Sequence, residues 1–232
     1  MARITRSSSR RSLCAVLSLA GLVASAGPAS AQVSGRVVVL EARGRLAADV
    51  ANAVVYLEGR GPRQAPARAD MATDDRQFRP RVLVVPAGTT VQFANRDPFN
   101  HNVFSLSQPN AFDLGLYGRG ETRTQRFGRP GLVRVYCNVH PRMSAFVLVR
   151  DNPWYAQPET DGSYAIAGVP PGSYILHLWH ERAGQEVTRE ITVPPGGLAA
   201  LADTLDASGY RWVQHTDKYG RGYGSGTARE RY

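Results

Sequence analysis

Seven consecutive residues, Cys137-Asn138-Val139-His140-Pro141-Arg142-Met143, place a thiol, an imidazole and a thioether at positions i, i+3 and i+6. These are soft or borderline donors, and together they favour copper over magnesium, calcium or the iron of oxygenases. Zinc is the main competing metal, but a thioether is a poor zinc ligand, and structural zinc sites use Cys and His. Pro141 stiffens the backbone between the donors. One Cys, two His and a long axial Met form a set suited to one-electron transfer, so a second imidazole has to come from elsewhere. Taken singly, each donor has a plain explanation: a buried Cys, a surface His, a Met filling core space. Their joint spacing is what points to a metal.

The chain has five histidines. His101 is the best placed. It follows Thr89-Thr90-Val91-Gln92-Phe93-Ala94-Asn95-Arg96-Asp97, which reads as a strand running into a turn, and it opens the apolar run Asn102-Val103-Phe104. His177 and His180 are three positions apart and so face opposite sides of a strand, a poor arrangement for one metal. His180 with Glu181 reads as a polar strand end, with a place at a domain interface as the alternative, and His215 reads as a solvated tail residue. No Ser-His-Asp order, paired-carboxylate motif or phosphate loop stands out, so hydrolysis and phosphoryl transfer gain no support.

Positioning these donors requires β-structure. Gly and Pro punctuate the chain every 8–12 residues or so, the spacing of sandwiches. Strands are expected at Val33–Leu40, Ala53–Glu58, Arg81–Val85, Thr89–Ala94, Asn102–Leu106, Glu121–Phe127, Leu132–Cys137, Ala145–Arg150, Ser163–Ala167, Ser173–His180 and Val187–Val193. In the strand ending at Cys137, Val133 and Val135 share its face while Arg134 and Tyr136 take the other. Leu198–Asp206 fits a helix or a strand.

Around the donors the chain resembles the cupredoxins, and among them the amicyanin-like proteins. The likeness rests on His101-Asn102-Val103 and the compact Cys-x-x-His-Pro-x-Met loop. It extends over about Gln77 to Arg150, through Val84-Val85-Pro86-Ala87-Gly88 and Phe127-Gly128-Arg129-Pro130-Gly131. The resemblance implies a Greek-key β-sandwich with a type 1, or blue, copper ion. His101, His140 and Cys137 would be its equatorial ligands and Met143 the axial one. Asn102 and Pro141 would support them, Asn102 by tying the two ligand loops with hydrogen bonds. It also implies that His140 reaches the surface through an apolar patch, for which Pro98, Phe99, Val139 and Pro141 are candidates. Phe112-Asp113-Leu114-Gly115-Leu116-Tyr117 has no counterpart in that pattern and reads as an added aromatic turn.

Two outlying stretches resemble the carboxypeptidase regulatory-like, prealbumin-type or Ig-like β-sandwich. The first is Gly35-Arg36-Val37-Val38 with Ala51-Asn52-Ala53-Val54-Val55-Tyr56-Leu57. The second is Asp161-Gly162-Ser163-Tyr164 with Gly168-Val169-Pro170-Pro171-Gly172-Ser173-Tyr174. Neither half has strands enough to close a sandwich alone. The expected layout is therefore a discontinuous domain, residues 33–62 and 156–206, with the copper domain, residues 68–150, inserted into it. Two consecutive independent domains are the simpler alternative. Residues 208–232, rich in Gly, Tyr and Arg, read as a flexible basic tail.

Residues 1–31 read as an export signal. Arg3, Arg6, Arg10 and Arg11 precede an apolar stretch, Leu13 to Gly27, too short to span a bilayer, and Ala29-Ser30-Ala31 marks a cut before Gln32. Ser9-Arg10-Arg11-Ser12-Leu13 also suits the twin-arginine route, and an uncleaved anchor is the alternative. Without the leader's arginines the net charge falls from +9 to +5. For an exported, periplasmic protein that balance suggests acidic partners or surfaces rather than nucleic acid. Of the two cysteines, Cys14 goes with the leader, and Cys137 alone cannot form an internal disulfide.

Together these features predict an all-β, non-enzymatic electron carrier with one copper ion, no membrane segment after cleavage, and a redox partner such as a cytochrome c or a quinoprotein-type dehydrogenase. A copper-delivery module is the alternative, although only Met71 and Met143 follow the leader. A copper oxidase or nitrite reductase would need more histidines than five.

Overall fold

The computed structural model describes residues 31–223, so the leader expectation for residues 1–30 lies outside the described residues. The fold is all-β, with two short 3-10 turns and no α-helix among the described residues. In chain order the strands are β1 (Ala31–Leu40), β2 (Val54–Glu58), β3 (Arg68–Asp74), β4 (Gln77–Arg79), β5 (Val82–Pro86), β6 (Thr89–Asn95), β7 (His101–Ser105) and β8 (Phe112–Tyr117). They continue as β9 (Thr122–Phe127), β10 (Gly131–Cys137), β11 (Ser144–Arg150), β12 (Tyr155–Ala156), β13 (Ser163–Val169), β14 (Gly172–Trp179), β15 (Val187–Val193) and β16 (Leu198–Asp206). The ambiguous Leu198 segment is thus a strand, paired in parallel with β1 from Val33↔Leu198 to Leu40↔Asp206.

Among the described residues four sheets result, ordered β13-β1-β16, β12-β2-β14-β15, β5-β11-β10-β7-β8 and β4-β3-β6-β9. Every strand from β3 to β11 pairs only within the last two sheets, and the flanking strands pair only within the first two. One core, with Val33, Val37, Leu57, Trp154, Ile166, Leu176 and Leu205, fills the space between the first two sheets. A second, with Met71, Phe93, Phe127, Val135, Cys137 and Val147, fills the space between the other two. The second pair has Greek-key crossings: β5, β7 and β8 share a sheet, while β6 lies in the facing one.

The two middle sheets also pack on each other. Val54 and Tyr56 of β2 join Val82, Phe146 and Leu148 in a third cluster. This explains why Val54-Val55-Tyr56-Leu57 and Ala145-Phe146-Val147-Leu148-Val149 are unbroken apolar runs: both faces of each strand are covered. Asp161-Gly162 is a turn in which Gly162 has φ +85°, and a Cβ there would lie 2.2 Å from the Val37 carbonyl oxygen. Only glycine fits that approach.

Phe112–Tyr117 is an edge strand rather than an added turn. It pairs with β7 through a register shift between Asn102 and Phe104. β7 opens at His101 and the antiparallel β10 closes at Cys137, so both donors reach the same end of one sheet, with Cys137 opposite Val103.

Candidate metal centre

The strand periods deliver the donors. Val133, Val135 and Cys137 alternate inward along β10, and the hairpin from Cys137 to Ser144 carries His140 and Met143 back over the sheet end. That loop closes on itself, since the Met143 N–H donates to the His140 carbonyl at 2.9 Å and the Cys137 N–H to the Met143 carbonyl at 3.3 Å. His101 Nδ1 lies 3.4 Å from Cys137 Sγ, His140 Nδ1 lies 3.6 Å from the same sulfur, and the two Nδ1 atoms are 3.2 Å apart. His101, Cys137 and His140 form a buried group of potential metal ligands. Met143 is buried in the same core, beside Cys137.

The donor triangle has the dimensions a metal needs. The point equidistant from its three corners lies about 2.0 Å from each, close to ordinary metal–nitrogen and metal–sulfur bond lengths. The donor chemistry, two imidazoles and a thiol, with Met143 buried in the same core, fits copper.

The groups around the donors set their state. Asp97 accepts from the backbone N–H of Asp75 at 2.8 Å and of Arg76 at 3.2 Å, and its Oδ2 lies 2.8 Å from His101 Nε2. A carboxylate can only accept, so the proton sits on Nε2 and Nδ1 is left bare toward the triangle. Burial lowers the His101 pKa, and Asp97 acts against it. Burial raises the Cys137 pKa, against the backbone N–H groups of Asn102, His140 and Val139 that favour the thiolate. Loading a metal must therefore displace the thiol proton. Phe99 packs on both rings, 5.4 Å from His101 and 5.2 Å from His140.

Asp97 has no signature in the sequence beyond its place four residues before His101. Asn95 is similar: its amide donates to the carbonyls of Phe99 and Tyr117, and its Oδ1 accepts from Thr73 Oγ1 and the Asp97 N–H. Together they shape the turn leading into His101. Asn102 joins the loops by its backbone, because its carbonyl accepts the Asn138 N–H at 2.9 Å. Its side chain turns instead to Asp113, at 2.6 Å. Pro141 lies half-buried on the loop beside His140.

Two expectations change. His140 is only 4% exposed, so it does not itself reach the surface, although Pro98 is exposed and Phe99, Val139 and Pro141 are half-buried around it. His215 is not a freely solvated tail residue. Its ring stacks on Tyr136, centroids 4.4 Å apart. Burial lowers the His215 pKa, while the backbone of His140 acts in the opposite direction. Away from the centre, Glu181 pairs with Arg81, and His180 sits by the Asp49 carbonyl at 3.4 Å.

No known protein-family model matches the chain. Among solved structures it is similar to a copper-containing nitrite reductase from Thermus scotoductus SA-01 at 28% identity and TM-score 0.36. That match covers 38% of this chain and 23% of the reductase, so the chain spans about a quarter of that protein's length. It is also similar to a purple cupredoxin from Nitrosopumilus maritimus, at 24% identity and TM-score 0.32, over 35% of this chain and 99% of the other. A third similarity is to amicyanin from Paracoccus versutus, at 21% identity and TM-score 0.33, over 36% of this chain and 81% of the other. No helix among the described residues is long and apolar enough to cross a membrane.

Proposed function

We propose that this chain is an exported type 1 copper protein that carries single electrons and catalyses no reaction of its own. His101, His140 and Cys137 are the equatorial ligands and Met143 the weak axial one. The observation that carries this is the buried triangle of His101 Nδ1, His140 Nδ1 and Cys137 Sγ, with edges of 3.2 to 3.6 Å. Copper bound there supplies a one-electron couple between Cu(I) and Cu(II).

The protein's part is to hold the donors still. Asp97 fixes the tautomer and tilt of His101, and Phe99 wedges against both imidazoles. Hydrogen bonds from Met143 to His140 and from Cys137 to Met143 stiffen the loop, and burial excludes water. A donor set held this way in both redox states needs little rearrangement. The leader reading supports a periplasmic or other exported location, the basic balance supports docking on acidic surfaces, and the redox partner would be a cytochrome c or a quinoprotein-type dehydrogenase.

The strand pairing supports a nested layout, residues 68–150 inserted into a carboxypeptidase regulatory-like sandwich built from 33–62 and 156–206. The function is tested by adding Cu(II) to the purified protein. An intense visible thiolate-to-copper band is expected, lost in Cys137→Ser, together with a reversible one-electron wave. Met143→Gln should keep the colour and lower the potential, since oxygen favours Cu(II) more than a thioether does. A colourless wild-type protein would refute copper ligation, and colour without a reversible wave would favour a delivery module.

A further inference from the structure

After β16 the chain joins no sheet among the described residues, yet it lies against the loop that carries Cys137 and His140. The Lys218 N–H donates to Asn138 Oδ1 at 2.9 Å, and the Lys218 ammonium donates to Asp113 Oδ2 at 2.7 Å. The other oxygen of Asp113 takes the Asn102 amide at 2.6 Å. Asn138 follows Cys137 and Asn102 follows His101, so one tail residue holds the neighbour of one donor directly and the neighbour of another through Asp113. Further contacts run alongside. Tyr223 Oη reaches the Cys137 carbonyl at 3.5 Å, His215 stacks on Tyr136, and Arg142 lies over the Trp212 ring at 5.6 Å.

We infer that Lys218 is a positioning residue of the metal centre: by bonding Asn138 and Asp113 at once, the C-terminal segment staples the β7–β8 edge beside His101 to the Cys137 loop. The two bonds of Lys218 do different work. Its N–H fixes the Asn138 side chain at the start of the hairpin. Its ammonium holds Asp113, and Asp113 in turn holds Asn102, whose carbonyl takes the Asn138 N–H. The circuit closes without touching a donor atom, so it acts on spacing rather than on coordination. Burial pushes the Asp113 pKa up, but Lys218, Asn102 and the Gly115 N–H outweigh it, and the net direction is down. The Lys218 pKa moves up through its bond to Asp113. Both partners therefore stay charged near neutral pH, where such a hydrogen bond is strongest.

The staple rests on the copper reading only for its colour readout, so the test begins without metal. In the metal-free full chain, the rate at which a small alkylating reagent labels Cys137 reports how often its loop parts from the β7–β8 edge. Lys218→Met should raise that rate about tenfold, the scale of one charge-assisted hydrogen bond, and Lys218→Arg should restore most of the protection. Lys218→Pro, which deletes the N–H donor, should also accelerate labelling. After Cu(II) loading, Lys218→Met should shift the visible band, while Lys218→Arg stays close to wild type. If Lys218→Met loses its cooperative unfolding transition, Asp113→Asn removes the charge on the other side of the same ammonium contact and carries the same expectation. Wild-type labelling rates in both Lys218→Met and Lys218→Pro would overturn the staple. Accelerated labelling in a protein whose wild type takes up no coloured copper would sustain the staple and refute the copper reading.

Discussion

Two pairs of histidines sit in the two pairs of sheets, with opposite fates. His101 and His140 converge with their rings 4.7 Å apart and share a sulfur neighbour. His177 and His180, on and just beyond β14, diverge as their spacing requires. His177 stacks flat on Tyr56, centroids 4.5 Å apart, with Nε2 3.0 Å from Glu58. His180 turns inward beside Asp49 and Arg182. Position at a strand end does not separate the cases, because His101 and His180 both have it. The neighbours do. One pair meets a thiol and a single carboxylate placed behind it, the other a set of carboxylates and guanidiniums that already satisfy one another, as Arg182 does with Glu41 and Asp49.

The sharpest way to break this contrast is to damage the core between the first two sheets and watch the group of His101, Cys137 and His140. Trp154 is 1% exposed in the core between the first two sheets, its Nε1 donating to the Gly168 carbonyl at 3.1 Å. Its ring lies where a Cβ on Gly61 would be, as close as 2.6 Å. Trp154→Ala should cost about 3–5 kcal/mol, the usual penalty for emptying such a site. Denaturant unfolding followed by circular dichroism should then show an early transition, with Cys137 still protected from labelling until a later one. Loss of that protection in the first transition would show that both regions unfold as one unit.

A smaller effect is expected at the contact between them. Arg81 precedes β5, reaches Glu181 beyond β14, and donates to the Ser144 carbonyl at 3.0 Å. The Glu181 side chain is 4% exposed, so Arg81→Met leaves a buried carboxylate without its main partner. The loss should be about 1–3 kcal/mol, and Glu181→Gln in the same chain should return part of it. Thermal unfolding of the two variants measures both steps. Equal stability of wild type and Arg81→Met would mean that the Arg81–Glu181 pair adds nothing to the apolar cluster and the Arg150 contacts with Tyr56 and Leu57 that join the regions.

What the sequence reveals and conceals follows the range of each interaction. The strand at Leu132–Cys137 is legible because alternation is local, and the His101, Cys137 and His140 grouping is legible because donor type and spacing leave few other uses. Arg68–Asp74 escapes notice because Asp70, Ala72 and Asp74 are poor strand formers, yet pairing with β4 on one side and β6 on the other holds it. Phe112–Tyr117 is hidden by Gly115, whose φ is +71°. Leu198–Asp206 is decided only by its parallel partner β1, far away in sequence. Asp97 and Lys218 are ordinary charged residues until folding sets them behind the donors. Nothing in the composition of the tail distinguishes a segment that docks from one that does not.

The finest test of the contrast is proton binding by His180. The Arg182 N–H donates to His180 Nδ1 at 3.2 Å, and Nε2 faces the Asp49 carbonyl at 3.4 Å. That pattern suits the neutral ring, with Nδ1 accepting and Nε2–H donating. Protonating Nδ1 would break the first bond. Burial is the largest influence and lowers the pKa from 6.5, while Asp49 acts the other way. The folded protein thus resists a proton that the unfolded chain accepts. Its stability should be at full value above the unfolded pKa of about 6.5 and should fall as pH drops below it, at up to about 1.4 kcal/mol per pH unit for each proton taken up. His101 and His215 have lowered pKa values too and add slopes of the same sign. Denaturant midpoints of metal-free protein across pH 5 to 8 should therefore decline toward the acid side in wild type and decline less in His180→Gln. If His180→Gln keeps the full wild-type slope, His180 is protonated freely in the folded state, and its buried setting does not hold the ring neutral.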